Sequence, residues 1–483
     1  MTLARGAARG AAWGFATVLA ERGVGFIVLG LLLRVVPASV VGLIAIASAI
    51  SDLARLVANS GAGEQAQASP GDMDVEAAAF WSQFLASLLF MALLFVLAPG
   101  FAALYGQPVL APVLRIMGLN VVLTAFLIVP SARLATRFRF RAVGLISLGS
   151  TVVGGAMALP CAFAGHGVAA LVVQRMAGAV FYAVVASIAA RWVPPRPPSW
   201  PVLREGFRFS FPLMQAGLVD YIAATGYVML AGLRMPVAAL GEFRIAQRLF
   251  EVLQEVAFMP ARNVFMPVLV AVRHDPSRRF EATRQMLDLL SMVIFFVSAV
   301  CGAAARPIVL LMFGARWEAA VPVFAVLTLM APAAALYSVV NPMLASAGRT
   351  RLVSRYAWAN AGTIAVAAWF AAPCGLLALA WALAARGVLG VGLFALAMRQ
   401  GLEGAAGPVL RLLILPCVAL AMARLSAWAA LLVFPGQNLL AQLGVGAAVS
   451  GGVFALLVLA LAPRRMREMA RRLHGALLGA GGG

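Results

Sequence analysis

The sequence predicts an all-α polytopic membrane protein with about 14 transmembrane helices. Of its 483 residues, 63% are hydrophobic and 11% are charged, and the mean hydropathy is +0.97. Apolar runs of about 20 residues, long enough to cross a hydrocarbon core of about 30 Å, follow one another with short breaks. Because backbone amides in lipid pair within their own element, and because the runs are continuous instead of alternating, helices are favoured over a barrel.

Prolines, glycines and charged residues mark the ends of the predicted spans. In chain order the spans are 11–33, 40–59, 78–98, 109–130, 142–164, 167–190, 209–232, 238–259, 287–312, 319–345, 353–372, 375–397, 408–434 and 440–462. This order predicts two pseudo-symmetric six-helix bundles followed by two C-terminal helices.

A Pro-rich stretch separates the sixth span from the seventh. Its prolines stiffen the backbone in an extended conformation and exclude a continuous helix. The predicted domains are a first bundle at 1–192, a cytoplasmic linker at 193–204, a second bundle at 205–400, helices 13 and 14 at 401–462, and a basic cytoplasmic tail at 463–483.

Two short motifs occur twice and support this division. The stretch from Arg34 through Pro37 to Gly42 is repeated as Arg234 through Pro236 to Gly241. Leu104-Tyr105-Gly106 is likewise repeated as Met312-Phe313-Gly314. In transporters, internal repeats of this kind place the substrate site at the repeat interface near the middle of the membrane.

The basic residues orient the chain in the membrane. The net charge is +20, and each of the 37 basic residues is Arg. These arginines concentrate in every second loop, as the positive-inside rule requires, and do not form one patch. The distribution excludes a nucleic-acid partner and predicts a multi-pass membrane protein with both termini in the cytoplasm.

Metal, disulfide and enzyme signatures are missing from the sequence. The four cysteines stand singly without CxxC spacing, and the three histidines are scattered in loops and the tail. There is no Walker lysine and no HExxH motif, and the extramembrane stretches are too short for a catalytic domain. We therefore expect no metal and no enzymatic activity, with a membrane-embedded glycan polymerase left open as an alternative.

Polar residues within the spans gather on helices one, two, seven and eight. They are Glu21 and Arg22; Asp52, Arg55 and Asn59 on one face; Gln215, Asp220 and Thr225; and Arg244, Arg248, Glu251 and Glu255 in one stripe. A charge at the centre of a membrane helix costs roughly 2.5–3.5 kcal/mol on insertion scales, so such residues usually face a bundle interior or an aqueous cavity. We expect a hydrated cavity lined by both signs of charge.

Structural explanations compete with this interpretation. Glu21 with Arg22, or Arg248 with Glu251, could be ion pairs that only join helices. Arg55 and Asn59 lie near a predicted membrane boundary, where snorkelling to the interface explains them equally well. The single arginines of other spans are expected to be interfacial anchors: Arg115, Arg175, Arg386 and Arg424.

Several motifs together resemble the lipid-linked oligosaccharide flippases of the multidrug, oligosaccharidyl-lipid and polysaccharide exporter superfamily. The resemblance covers roughly residues 6–400. The motifs are Arg34 to Gly42, Asn59 to Gly63 with Gln65 and Gln67, Ala79-Phe80-Trp81, Leu104 to Pro108 with Leu110-Ala111-Pro112 and Arg115, Arg133 to Phe140, Gly241 to Leu249, Pro267, and Phe313 to Trp317 with Ala320 and Pro322.

The resemblance implies two facing six-helix bundles and alternating access, with the cavity lined by the four helices that carry the charges. The sequence departs from the family where Asn59 replaces a common Asp, and where Thr225 and Tyr227 stand in place of Asn and Asp before Gly232. These departures weigh against an ion site there. Helices 13 and 14 lie beyond the clear match, so an accessory role is open for them.

The leading hypothesis is therefore a flippase that moves a polyprenyl-pyrophosphate-linked oligosaccharide to the outer leaflet for exopolysaccharide, O-antigen or capsule export. Arg22, Arg55 and Arg248 would hold the pyrophosphate, because guanidinium groups bind phosphate through two donors. Glu21, Asp52, Asp220 and Glu251 would tune the cavity or bind Na⁺ or H⁺ as coupling ion.

The expected partners are the lipid-linked glycan, the bilayer, and the polysaccharide polymerase and export machinery. Besides the polymerase, two alternatives stay open: a flippase for lipid-linked peptidoglycan precursors, and a cation-coupled drug exporter of the same superfamily.

Overall fold

A computed structural model describes residues 2–58, 62–68, 72–272, 274–346, 349–401, 406–433 and 438–463. Within these ranges the regular secondary structure is helical throughout. The chain divides into two compact units, Met1–Gly241 and Glu242–Gly483.

In its described residues the first unit contains eight helices and the first turn of a ninth. They are α1 (Thr2–Val35), α2 (Ala38–Ala58), α3 (Ala62–Ala68), α4 (Met73–Leu104), α5 (Leu110–Thr136), α6 (Phe140–Phe163), α7 (Gly167–Ala190), α8 (Trp200–Arg234) and the start of α9 (Val237–Ala271).

The part of the second unit that the structure describes contains the rest of α9 and nine further helices. These are α10 (Pro276–Ala303), α11 (Ala305–Phe313), α12 (Ala320–Leu327), α13 (Ala331–Ser346), α14 (Thr350–Ala371), α15 (Leu376–Gly401), α16 (Ala406–Arg411), α17 (Ile414–Val433) and α18 (Leu439–Leu461). Short 3-10 turns lie at Ala315–Trp317, Thr328–Met330 and Ala372–Cys374.

The observed helices confirm the predicted all-α membrane fold. Each predicted span falls on one helix or on two consecutive helices. Among the described residues, eight helical segments are long and apolar enough to cross a membrane by length and composition. The short α3 was not predicted, and the predicted basic tail lies outside the described residues from position 464 onward. The domain limits drawn from the Pro-rich stretch stay a prediction.

The helix ends follow the repeated motifs. Helices α1 and α8 end at Val35 and Arg234, just before Pro37 and Pro236, because a proline disfavours helical geometry in the residue that precedes it. Gly106 and Gly314 follow the ends of α4 and α11 with φ of 61° and 93°. Glycine adopts a positive φ without steric cost, so a glycine closely follows the helix end in both copies of the second motif.

In the first unit, α6 packs against α1 and α7, while α5 packs against α4 and α7. Helix α2 packs against α4, α5 and α8. One buried cluster contains Phe80, Val129 and Trp192. Beside it, the indole Nε1 of Trp81 donates to the carbonyl of Pro195 over 2.9 Å, which holds the Pro-rich stretch against α4.

In the second unit, α17 and α18 pack against each other and against α10. Ala423 of α17 and Phe454 of α18 are part of the same buried cluster as Phe295 of α10. Arg424 donates to the carbonyls of Ala325 and Ser298 over 2.9 and 3.2 Å, and also to the hydroxyl of Thr328. The last two helices therefore belong to the core of this unit.

Candidate substrate-binding residues

The first unit places Asp52 of α2 between two arginines. Arg175 Nη2 of α7 donates to Asp52 Oδ2 over 2.8 Å. Arg55 Nε lies 3.4 Å from Asp52 Oδ1. The Asp52 side chain is 19% exposed, whereas those of Arg175 and Arg55 are 34% and 43% exposed. Two guanidinium groups thus share one carboxylate, and the cluster has a net charge of +1.

Helix α8 completes this cluster through Tyr221. The Tyr221 hydroxyl donates to the carbonyl of Ala49 over 2.9 Å, and Thr225 hydrogen-bonds to the same hydroxyl. Ala49 lies one turn before Asp52, so α8 contacts the charged part of α2. Two of the four helices predicted to line the cavity meet here: α2, which is the second predicted span, and α8, which is the seventh. Helix α7, the sixth predicted span, joins them.

The second unit contains a similar cluster on α9. Arg244 Nη1 donates to Glu251 Oε1 over 2.7 Å, and Arg248 Nη1 donates to Glu251 Oε2 over 3.1 Å. Arg244 also donates to Gln247 Oε1 over 2.8 Å. Positions 244, 248 and 251 share one helix face because they are spaced by four and three residues. One carboxylate again lies between two guanidinium groups.

The structure therefore brings together four of the eight predicted site residues, in two pairs. Asp52 contacts Arg55, and Arg248 contacts Glu251. Glu21 and Arg22 lie on α1 with half-buried side chains. Asn59 and the side chain of Asp220 lie outside the described part of the chain. The assignment of these residues to substrate stays a prediction.

The structure adds Arg175, which the sequence predicted to be an interfacial anchor. That expectation was wrong, because Arg175 pairs with Asp52 across 123 positions of sequence. The same expectation was wrong for Arg424, which is bound to polar groups of α10 and of the α12 region. A single sequence holds no signal for pairs so far apart, since helical spacing reports only neighbours on one helix.

A second unpredicted pair joins α4 to α5. Arg133 Nε lies 2.9 and 2.8 Å from the two carboxylate oxygens of Glu76. The Glu76 side chain is 5% exposed. The predicted spans leave Glu76 in the loop between positions 59 and 78, but α4 begins at Met73 and includes it in its first turn. This pair belongs to the packing of the unit.

No group of three or more His, Cys, Asp or Glu side chains that could hold a metal ion occurs among the residues that the structure describes. Asp52 and Glu251 are each engaged by two guanidinium groups, an environment that opposes a cation. The chemistry of both clusters is therefore suited to anions.

Two compact helical units, with helices long and apolar enough to cross a membrane among the described residues, define an all-helical membrane protein. A family model described as "Polysaccharide biosynthesis protein" matches residues 31–322, and the chain belongs to this family. This membership confirms the resemblance drawn from the motifs.

One curated relative is the succinoglycan biosynthesis transport protein ExoT of Rhizobium meliloti (strain 1021). It is 24% identical over 322 residues, which are 66% of this chain and 65% of that protein. The match thus spans slightly less than two thirds of the relative's length.

Among solved structures, the lipid II flippase MurJ in an inward closed conformation aligns with a TM-score of 0.72 and 13% identity. The alignment covers 93% of this chain and 99% of that chain. At this identity the similarity establishes the fold.

Proposed function

We propose that this transporter is a flippase that moves a polyprenyl-pyrophosphate-linked oligosaccharide from the cytoplasmic to the outer leaflet by alternating access. The product would serve export of an exopolysaccharide, O-antigen or capsule. In this proposal the protein lies in the bacterial inner membrane with both termini in the cytoplasm. The observation that carries it is the arrangement of two arginines around one carboxylate within the helices of each unit.

The charges of these clusters fit a phosphorylated lipid. Each cluster holds one positive charge more than its own carboxylate neutralises. Such a charge is costly within the membrane, so an anion that enters the cluster is stabilised there. A guanidinium group presents a planar fork of donors that matches phosphoryl oxygens. The membership in a polysaccharide biosynthesis family supports a glycan as the group that the phosphate links to lipid.

We place a coupling ion, if Na⁺ or H⁺ drives the cycle, away from Asp52 and Glu251. Both carboxylates already face two cations. Of the predicted acidic residues, Glu21 and Asp220 are left for this role. The polysaccharide polymerase and export machinery are the proposed downstream partners.

The test is the leaflet distribution of polyprenyl-linked glycans in a deletion strain, measured by mass spectrometry before and after treatment of intact spheroplasts with a glycan-cleaving enzyme. We expect complete lipid-linked repeat units to accumulate inside, protected from the enzyme. Complementation with the wild-type gene should restore export. Arg55→Gln and Arg248→Gln should restore less than about a tenth, because each removes a charged donor of roughly 1.5 kcal/mol or more.

Arg386→Gln is the matched control, because this arginine also lies in an apolar helix but bonds to Asn360. It should support normal export at equal protein levels. Accumulation of repeat units on the outer leaflet would instead favour a polymerase. Loss of viability with accumulated peptidoglycan precursor would favour the peptidoglycan-precursor flippase, and drug sensitivity with normal glycan export would favour the drug exporter.

A further inference from the structure

Arg175 holds a guanidinium group deep within an apolar helix. It is the ninth residue of α7, so it lies about 12 Å along the helix from Gly167 at a rise of 1.5 Å per residue. Its Nη2 donates to Asp52, but its Nη1 is buried and has no hydrogen-bond partner among the described residues. An unsatisfied charged donor at such a depth is costly.

Arg55, beside the other carboxylate oxygen of Asp52, also has a buried donor atom that no described residue satisfies. Its Nε is also a buried atom with no hydrogen-bond partner in the described ranges, although it lies 3.4 Å from Asp52 Oδ1. Both side chains are still about a third or more exposed. The cluster thus combines unused donors, a net positive charge and access for a ligand.

We propose that Arg175 is a binding residue for the phosphoryl group of the lipid-linked substrate, and that Asp52 is the internal anion it holds when no substrate is bound. This inference rests on the proposed function and adds α7 to the substrate-binding helices. The phosphoryl oxygens take the unused donors of Arg175 and Arg55. Asp52 competes with them for the same guanidinium groups, so it weakens binding and favours release.

The two members of the ion pair therefore have opposite effects on binding. Loss of Arg175 removes a ligand contact, whereas neutralisation of Asp52 removes a competitor. A purely structural pair behaves differently, because loss of either partner leaves the other charge buried and disturbs the same packing. Opposite changes in binding affinity for Arg175→Gln and Asp52→Asn therefore distinguish a binding role from a purely structural one.

The test uses the full-length protein in phosphatidylcholine nanodiscs, with geranylgeranyl diphosphate as the probe and geranylgeraniol as its uncharged counterpart. We expect Arg175→Gln to weaken diphosphate binding about tenfold, the effect of one charged hydrogen bond. Asp52→Asn should tighten it several-fold. Arg115→Gln is the matched control, since Arg115 lies over the ring of Phe95 in the same unit, and should leave binding unchanged.

Inorganic pyrophosphate, added as a third probe, separates recognition of the phosphoryl group from recognition of the lipid. Arg175-dependent binding of pyrophosphate supports the assignment. Arg175-dependent binding of geranylgeraniol overturns it.

The thermal midpoint of each variant shows whether it folds like the wild type. Arg175→Lys keeps the positive charge but lacks the planar fork of donors. If Arg175→Lys and Arg175→Gln both bind the diphosphate like the wild type, the assignment of Arg175 fails while the proposed function stands. If the wild-type protein binds the diphosphate no better than geranylgeraniol, the proposed function fails as well.

Discussion

Gly42 lies against Gly241, so the first turns of α2 and α9 approach to backbone contact. A Cβ atom added at Gly42 would overlap the carbonyl oxygen of Val237, and one added at Gly241 would overlap that of Ala38. The two repeated motifs, each beginning at an arginine and ending at a glycine, thus meet at equivalent positions. Close helix approach at small residues is a general feature of membrane packing.

We predict that Gly42→Ala lowers stability by roughly 1–3 kcal/mol, the usual cost of overpacking. The new methyl group would push the first turn of α9 away, because it meets backbone and not a flexible side chain. The measurement is the thermal midpoint in detergent. Gly100→Ala is the matched control, since nothing lies within 4 Å of its added Cβ. Equal thermal midpoints for the two variants would contradict the close backbone contact between α2 and α9.

The Glu76–Arg133 pair gives a second prediction. Glu76→Gln leaves the Arg133 charge uncompensated in a largely buried site, so we expect a loss of about 3 kcal/mol in the free energy of unfolding. Glu281→Gln removes a carboxylate that also pairs with an arginine, but both side chains are 43% exposed. This control should cost less than about 1 kcal/mol. Similar losses in the free energy of unfolding for both variants would show that burial does not set the contribution of these ion pairs.

The hydrogen bond from Trp81 to Pro195 gives a third prediction. Trp81→Phe keeps the aromatic ring but removes the donor, at a net cost of about 1 kcal/mol. The adjoining segment should then open about five times more often, which limited trypsin digestion after Arg191 measures. Trp358→Phe, at a 52% exposed indole, is the control. An unchanged digestion rate for Trp81→Phe would mean that this bond does not hold the linker.

Asp275 gives a pH-dependent prediction outside the membrane spans. It caps α10 by accepting from the amides of Ser277 and Arg278. Hydrogen bonds from the Ser277 hydroxyl and the Arg278 amide lower the pKa of Asp275 below its usual value of 3.8. A lowered pKa means that the cap stabilises α10 above the unfolded-state pKa and is lost as the pH falls through the folded-state pKa.

We expect hydrogen-exchange protection of the Ser277 and Arg278 amides, relative to their intrinsic rates, to fall in acid below about pH 4. Asp275→Asn keeps an amide oxygen as acceptor without a titrating group, so its protection should change little over the same range. A wild-type profile as flat as that of Asp275→Asn would rule out the titrating cap.

Much of the architecture follows from the sequence because its cause is local. Span length and hydropathy predicted the helices, since each membrane helix satisfies its own backbone. The prolines at 37 and 236 and the glycines at 106 and 314 set helix ends through backbone geometry, which each residue carries with it. The Arg248–Glu251 and Asp52–Arg55 pairs were visible because three-residue spacing places them on one helix face.

Tertiary structure decided which distant charges meet. Arg175 looked like an interfacial anchor, and only the packing of α7 beside α2 brings it to Asp52. Glu76 was placed in a loop, and only the packing of α4 on α5 makes it a buried partner of Arg133. Arg424 also looked like an interfacial anchor, and only the packing of α17 against α10 brings it to the carbonyl of Ser298. Helical periodicity reports neighbours within one helix, whereas these contacts depend on which helices lie side by side.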